Sequence, residues 1–164
     1  MSSMVYTTMD SPIGELLLVG DGEALHGVYM QEGRKPVRIS PKWERSPAAL
    51  ADVQGQLREY FAGDRQTFDT PLVMHGSEFE QRVWSELREI PYGETASYGE
   101  IAGRVGRPSA ARAVGMANGR NPIAVIVPCH RVIGANGTLT GYGGGLERKR
   151  VLLELERGQG CMRE

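Results

Sequence analysis

The chain is poor in cysteine, histidine and long apolar stretches, and each shortage excludes a class of protein. Two of its 164 residues are cysteine, Cys129 and Cys161, too few for a disulfide framework and not at a zinc-ligand spacing. His26, His75 and His130 add little to them, so neither a structural metal nor a cofactor is expected. The longest apolar run, residues 123–127, has five residues, against the roughly 20 a membrane-spanning helix requires. No basic stretch followed by an apolar one opens the chain, so a cytoplasmic protein is expected rather than an exported one.

Net charge is scarce too, at −1, but it is unevenly spread. Residues 1–72 carry 7 basic and 10 acidic side chains, whereas residues 101–150 carry seven arginines and Lys149 against Glu147 alone. Such a segment is either a solvated basic face or the docking site of a polyanion. The length suits one substantial core or two modest lobes, and the local grammar divides the chain at about residues 75/76.

Residues 1–75 read as a β-rich structural lobe. Strands are expected at 5–9, 16–19 and 25–29, separated by Ser11-Pro12-Ile13-Gly14 and Gly20-Asp21-Gly22. Residues 33–47, with three prolines, form a loop or an edge. Ser46 then caps a helix with Pro47 at its first position, apolar spacing through Leu50, Val53, Leu57, Tyr60 and Phe61, and a stop at Gly63. Residues 67–73 are expected to return as one more strand.

Residues 76–164 read as helical. Ser77-x-x-Glu80 and Ser97-x-x-Glu100 are capping boxes, the first opening an apolar face of Phe79, Val83, Trp84, Leu87 and Ile90. Ser109 is expected to cap a third helix that ends at Gly119. With Gly106-Arg107-Pro108 as the joint, the second and third helices make a helix-turn-helix surrounded by Arg104, Arg107, Arg112 and Arg120. Residues 123–127 read as a buried strand or apolar extended segment. Residues 132–139, with Asn136-Gly137 at a tip, resemble the hairpin of a winged helix. Gly141-Tyr142-Gly143-Gly144-Gly145 brings backbone close to a ligand but lacks the Lys-Ser/Thr ending of a phosphate loop. A last helix is expected over residues 147–156.

The chemistry concentrates at Pro128-Cys129-His130-Arg131. A free cysteine is ordinarily a small core residue, but here an imidazole and a guanidinium follow it, conditions that favour a reactive thiolate. In an extended chain Cys129 and His130 point to opposite faces, so they meet only across a bend or through a water. A third group should orient His130, and Glu156 on the last helix is the candidate. Acyl transfer and attack on an alkyl carbon of a nucleobase both fit such a thiolate. The second yields a thioether that water does not cleave, and it requires the base to leave the stack. Ala110-Ala111-Arg112-Ala113 supplies small residues for close approach and one long side chain to fill the gap.

Several ordered motifs are similar to those of the O6-alkylguanine-DNA alkyltransferases (methylated-DNA–protein-cysteine methyltransferases). These are Ile126-Val127-Pro128-Cys129-His130-Arg131-Val132-Ile133, Pro91-Tyr92-Gly93-Glu94-Thr95-x-Ser97-Tyr98, Ala110-Ala111-Arg112-Ala113-Val114-Gly115, Asn118-x-x-Asn121-Pro122 and Gly141-Tyr142-x-Gly144-Gly145. The match runs from about Phe79 to Glu156, and the first lobe matches more loosely. The resemblance implies an α+β protein: an antiparallel-sheet, ribonuclease-H-like lobe followed by a helical, winged-helix-like one. It also implies irreversible, single-turnover transfer of an alkyl group from guanine O6, and from O4-methylthymine, to Cys129. In this scheme His130 activates Cys129 through a water, Glu156 polarises His130, and Asn121 holds the turn. Tyr98 rotates the phosphate and donates to the leaving guanine, and Arg112 replaces the nucleotide flipped from the minor groove. Arg107, Ala110, Ala111 and Ala135 join Tyr98 and Arg112 against DNA. Tyr98, Val132, Tyr142 and Gly143 line the base pocket, with the Cys129 and Val132 carbonyls and the Gly143 amide reading the guanine edge. Gly143 stands where some relatives carry Ser, so it offers a backbone contact alone. The zinc-holding cysteines of animal relatives are absent. The implied partner is lesion-bearing duplex DNA, bound by a monomer that can act cooperatively. Two alternatives are a non-catalytic lesion-binding protein and a cysteine hydrolase.

Overall fold

The computed structural model describes residues 3–33, 36–137 and 145–158. Strands β1 (Val5–Met9), β2 (Leu16–Gly20) and β3 (Leu25–Met30) form an antiparallel meander, and β4 (Glu44–Arg45) joins β1 in parallel, giving the order β3-β2-β1-β4. The sheet is therefore mixed, not purely antiparallel, because the chain reaches β4 by a long loop rather than a hairpin. Every residue of β2 is buried, which explains its unbroken Leu-Leu-Leu-Val run. A 3-10 turn (Ala48–Leu50) runs into α1 (Ala51–Phe61), whose apolar face packs Leu50, Val53, Leu57 and Tyr60 into the core.

Residues 67–73 do not form the expected strand. Pro71 lacks an amide to continue a ladder, so only Leu72 bridges to Leu25, and Gln56 of α1 pins Asp69 instead.

In the second lobe, α2 (Glu78–Leu87) and α3 (Tyr98–Arg104) both start with complete capping boxes. Gly106, at a φ of +81°, ends α3. The next helix, α4 (Ala111–Gly119), is not capped by Ser109: a turn from Arg107 to Ala110 intervenes, and Ala110 takes the cap position without a side-chain bond. Trp84 of α2 is buried against α4, its indole N–H donating to the Ala117 carbonyl at 2.9 Å. Strand β6 (Val132–Ile133) pairs in parallel with β5 (Ala96–Ser97) and then turns at Gly137; the return limb of the expected hairpin lies outside the described residues. The last helix, α5 (Leu146–Gly158), closes the lobe.

One apolar core runs through both lobes, from Leu16 and Leu57 to Ile101, Val114 and Leu152. Backbone joins them as well, since Val28 of β3 donates to Pro122 at 2.9 Å and its carbonyl accepts from Ala124 at 3.2 Å. The active-site segment is thus fastened to the sheet edge just before its first bend.

Candidate active site

Asn121 builds the bend that carries Cys129. Its Nδ2 donates to the Val127 carbonyl at 2.8 Å and its Oδ1 accepts from the Ile123 amide at 3.0 Å. Between those contacts the chain is neither strand nor extended segment. Ile123 makes a single bridge to Val28, Val125 has a φ of +71°, and the Ile126 amide reaches back to Ala124 at 2.8 Å. A β-branched residue in the left-handed region is a strained one, of the kind that clusters at functional sites. Asn121 competes for the backbone groups a strand would need.

Pro128 leads into a single 3-10 turn, Cys129–Arg131. Such a turn sends successive side chains about 120° apart, so Cys129, His130 and Arg131 do not alternate as on a strand. The Cys129 carbonyl accepts from the Val132 amide and from Asn118 Nδ2 at 3.3 Å.

Around this turn lies a buried ionic cluster. His130 is fully buried; its Nε2 lies 2.7 Å from Glu156 Oε2. Arg131 holds the same carboxylate with two donors, Nε to Oε1 at 2.8 Å and Nη2 to Oε2 at 3.0 Å, and gives Nη1 to the Ile90 carbonyl. The Gly93 amide donates to Oε1 at 3.2 Å and the Tyr60 hydroxyl to Oε2 at 2.5 Å. Burial alone would raise the Glu156 carboxyl, but the hydrogen bonds from His130 and Arg131, with the Arg131 charge, outweigh it and hold the pKa at about 2. Glu156 is therefore ionised. Burial lowers the His130 imidazole against the opposing pull of Glu156, so the ring is neutral near pH 7, with Nε2–H donating to the carboxylate. His130 Nδ1 is then the lone-pair nitrogen, buried and without a hydrogen-bond partner among the described residues.

Lys149 of α5 is also fully buried. Its ammonium stands 6.0 Å from the centre of the Tyr98 ring and interacts electrostatically with Cys129. Burial brings its pKa down to about 8, with the Cys129 charge pulling the other way. Tyr98 opens α3, and its ring faces Gly115 of α4, where an added Cβ would sit 3.7 Å away.

The helix-turn-helix presents the cationic face. Arg104, Arg107, Arg112 and Arg120 are all exposed. Arg107 covers the Phe79 ring at 5.4 Å and Arg120 pairs with Glu80 at 3.2 Å. Arg112, in the first turn of α4, makes no hydrogen bond or ion pair among the described residues, and Ala110 and Ala111 beside it are half-buried. Ala135 is exposed beyond β6, and Val132 is buried at its start. Tyr142, Gly143 and Cys161 lie outside the described residues.

The structure thus brings Cys129, His130, Glu156 and Asn121 onto one turn and its supports, with Tyr98 linked to them through Lys149. Sequence reasoning missed Lys149 and Tyr60. Lys149 precedes Glu156 by two helical turns and shares its face, so the choice of Glu156 already pointed to it. Tyr60 sits in an apolar series, where nothing distinguishes a packing tyrosine from a donating one.

Two family models match the chain: the ribonuclease-like domain of 6-O-methylguanine DNA methyltransferase over residues 4–74 and its DNA binding domain over residues 78–158. The methylated-DNA–protein-cysteine methyltransferase of Mycobacterium bovis is 58% identical over 153 residues, covering 93% of this chain and 92% of the relative. That of Methanosarcina acetivorans is 52% identical, covering 93% and 98%. The crystal structure of Mycobacterium tuberculosis O6-methylguanine methyltransferase superposes with a TM-score of 0.87 at 55% identity, over 94% of this chain and 93% of that one. A Mycobacterium tuberculosis structure in complex with DNA gives 0.89 at 55% identity, over 94% of both chains.

Proposed function

Because the chain belongs to the 6-O-methylguanine DNA methyltransferase family, we propose that Cys129 is the sulfur on which its reaction ends. The protein binds DNA and repairs it by direct transfer of an alkyl group to one of its own cysteines, once per molecule. The lesion is O6-alkylguanine in duplex DNA, with O4-methylthymine as a second substrate.

The observation that carries the residue assignment is the neutral, fully buried His130, tied to an ionised Glu156 through one nitrogen and keeping the other free for a proton. Through a bridging water, Nδ1 takes the thiol proton of Cys129, and the resulting imidazolium is stabilised by Glu156. The thiolate attacks the alkyl carbon: the S–C bond forms, the C–O6 bond breaks, and its electron pair leaves on guanine. Lys149, close enough to Cys129 to feel its charge, stabilises the thiolate before attack. Tyr98 donates a hydrogen bond to the guanine anion, where charge develops in the transition state. No step regenerates the thiol, since the thioether has no leaving group better than the sulfur itself.

A buried sulfur cannot reach O6 within a stacked duplex, so the nucleotide must rotate out. Arg112, exposed and without an ion pair among the described residues, fills its place from the minor groove, while Ala110, Ala111, Arg107 and Ala135 border the DNA. The protein works as a monomer in the cytoplasm, where the thiol stays reduced.

The test is stoichiometric: incubation with an O6-methylguanine duplex, then mass spectrometry of the digested protein. One methyl on the Cys129 peptide per protein is the expected result. Binding with no adduct would make this a lesion-binding protein, and turnover without adduct a hydrolase.

A further inference from the structure

Among the described residues, the first lobe reaches the relay through the hydroxyl of Tyr60. Tyr60, at the end of α1, is fully buried, and its ring is fixed by Phe61, Phe68 and Tyr92 at centroid distances of 5.2, 5.6 and 6.1 Å. Its hydroxyl donates to Glu156 Oε2 at 2.5 Å, the same oxygen that receives His130 Nε2 at 2.7 Å and Arg131 Nη2 at 3.0 Å. With the Arg131 Nε and Gly93 N–H bonds to Oε1, five donors crowd a group with about four lone-pair sites. Charge drawn toward the phenol is charge the imidazole does not receive.

Resting on the reading of His130 as the base for Cys129, we propose that Tyr60 is a positioning residue of the transfer reaction: its hydrogen bond fixes Glu156 Oε2 against His130 and withholds part of the carboxylate's charge, so that the histidine waits as a neutral proton acceptor instead of settling as an imidazolium.

The other groups acting on His130 are charged or potentially so. Glu156 of α5 favours the imidazolium, whereas Arg131 of its own turn and Lys149 of α5 oppose it. Lys149 also feels Cys129. Tyr60 modulates the carboxylate without adding a charge, as the Gly93 amide does, but it acts on Oε2, the oxygen that faces His130; burial with the Glu156 charge beside it raises its own pKa well above the phenol range. It is thus a donor at every pH at which the protein works. Low local polarity magnifies a hydrogen bond of this kind.

The experiment is Tyr60→Phe in the full chain, read by NMR of labelled histidine and by single-turnover methyl transfer across pH. Removing the hydroxyl returns charge to Oε2, so the protonated fraction of His130 at a fixed acidic pH rises about tenfold. The acid limb of the rate profile moves up by about one pH unit with it. A merely structural role would lower the rate by one factor at every pH and leave His130 protonation unchanged, and that result would overturn the proposal. Should Tyr60→Phe not fold, site-specific 3-fluorotyrosine at position 60, a stronger donor, must shift protonation the opposite way; no shift would overturn it equally. A wild-type protein that takes no methyl on Cys129 would defeat the reading of the site, whereas a methylated Cys129 with an unmoved His130 defeats the role of Tyr60 alone.

Discussion

Replacing Glu156 by glutamine tests whether the relay is held together electrostatically. The substitution preserves shape but removes the charge that neutralises Arg131 and receives five hydrogen bonds. A glutamate held at about 2, instead of near 4.3 as in an unfolded chain, stabilises the fold by roughly 3 kcal/mol. Breaking a buried pair by removing one partner costs about 3–5 kcal/mol by independent measure. For a chain of this size either figure lowers Tm by on the order of 10 °C. Urea unfolding and calorimetry of Glu156→Gln should both show it, and adding Arg131→Met should recover part of the loss, because the stranded cation is gone. The pH dependence supplies a second check with a fixed sign. The Glu156 contribution is complete above about pH 4.3 and disappears as pH falls toward 2. His130, whose folded pKa is lowered, adds a loss that begins below about pH 6.5. Glu156→Gln should lack the lower step. A stability change under about 1 kcal/mol, or strict additivity with Arg131→Met, would refute the account.

Cys129→Ser should abolish methyl transfer while leaving duplex affinity within a few-fold, since the cationic helix face is untouched; equal loss of both in a gel-shift and transfer assay would contradict the assignment. Arg112→Ala should slow repair of duplex by about 10- to 100-fold, the equivalent of a few kcal/mol of unstacking, but leave reaction with free O6-benzylguanine nearly unchanged. Slowing of both substrates alike would remove its gap-filling role. Lys149→Met exchanges the buried ammonium near Cys129 for an uncharged apolar chain of similar length. Transfer near neutral pH should slow, and a variant as fast as wild type would show that the thiolate does not need the ammonium.

The parts of this fold that were legible in sequence are those with a local code. The boxes at Ser77 and Ser97 carry both partners within four residues, and β1 to β3 are separated by glycine turns that permit little else. Residues 123–127 resisted because β-branched apolar residues read alike in a buried strand and in a buried chain of turns. The deciding groups were the side-chain amide of Asn121 and the backbone of Val28, neither of which enters a periodicity. Ser109 failed as a cap for a related reason: the turn closing on Ala110 moved the helix start one residue onward. At the site, Cys129 and His130 were readable as neighbours, and Glu156 as a carboxylate on the right helix. The contact of Tyr60 with Glu156 spans 96 positions and is created only by the docking of α1.

That docking explains why a lobe with no reacting group accompanies the reaction. The relay depends on one carboxylate balancing a guanidinium and orienting an imidazole, with an ammonium nearby. Charge interactions of this kind weaken about fourfold between an effective protein dielectric near 20 and bulk water near 80. If water entered, Glu156 would lose its hold on the ring and Lys149 its influence on Cys129. The first lobe prevents this with α1, whose Leu57 and Tyr60 continue the common core up to the carboxylate, and with the edge of β3, whose Val28 grips the segment leading to the bend. The bend at Val125, strained by its positive φ, persists because both sides are fastened, Ile123 to the sheet and Val127 to Asn121. A sulfur that acts once keeps the alkyl group it takes and need not be restored for a second round. It needs a rigid turn and a buried ionic cluster, and the first lobe completes that cluster with the Tyr60 hydroxyl.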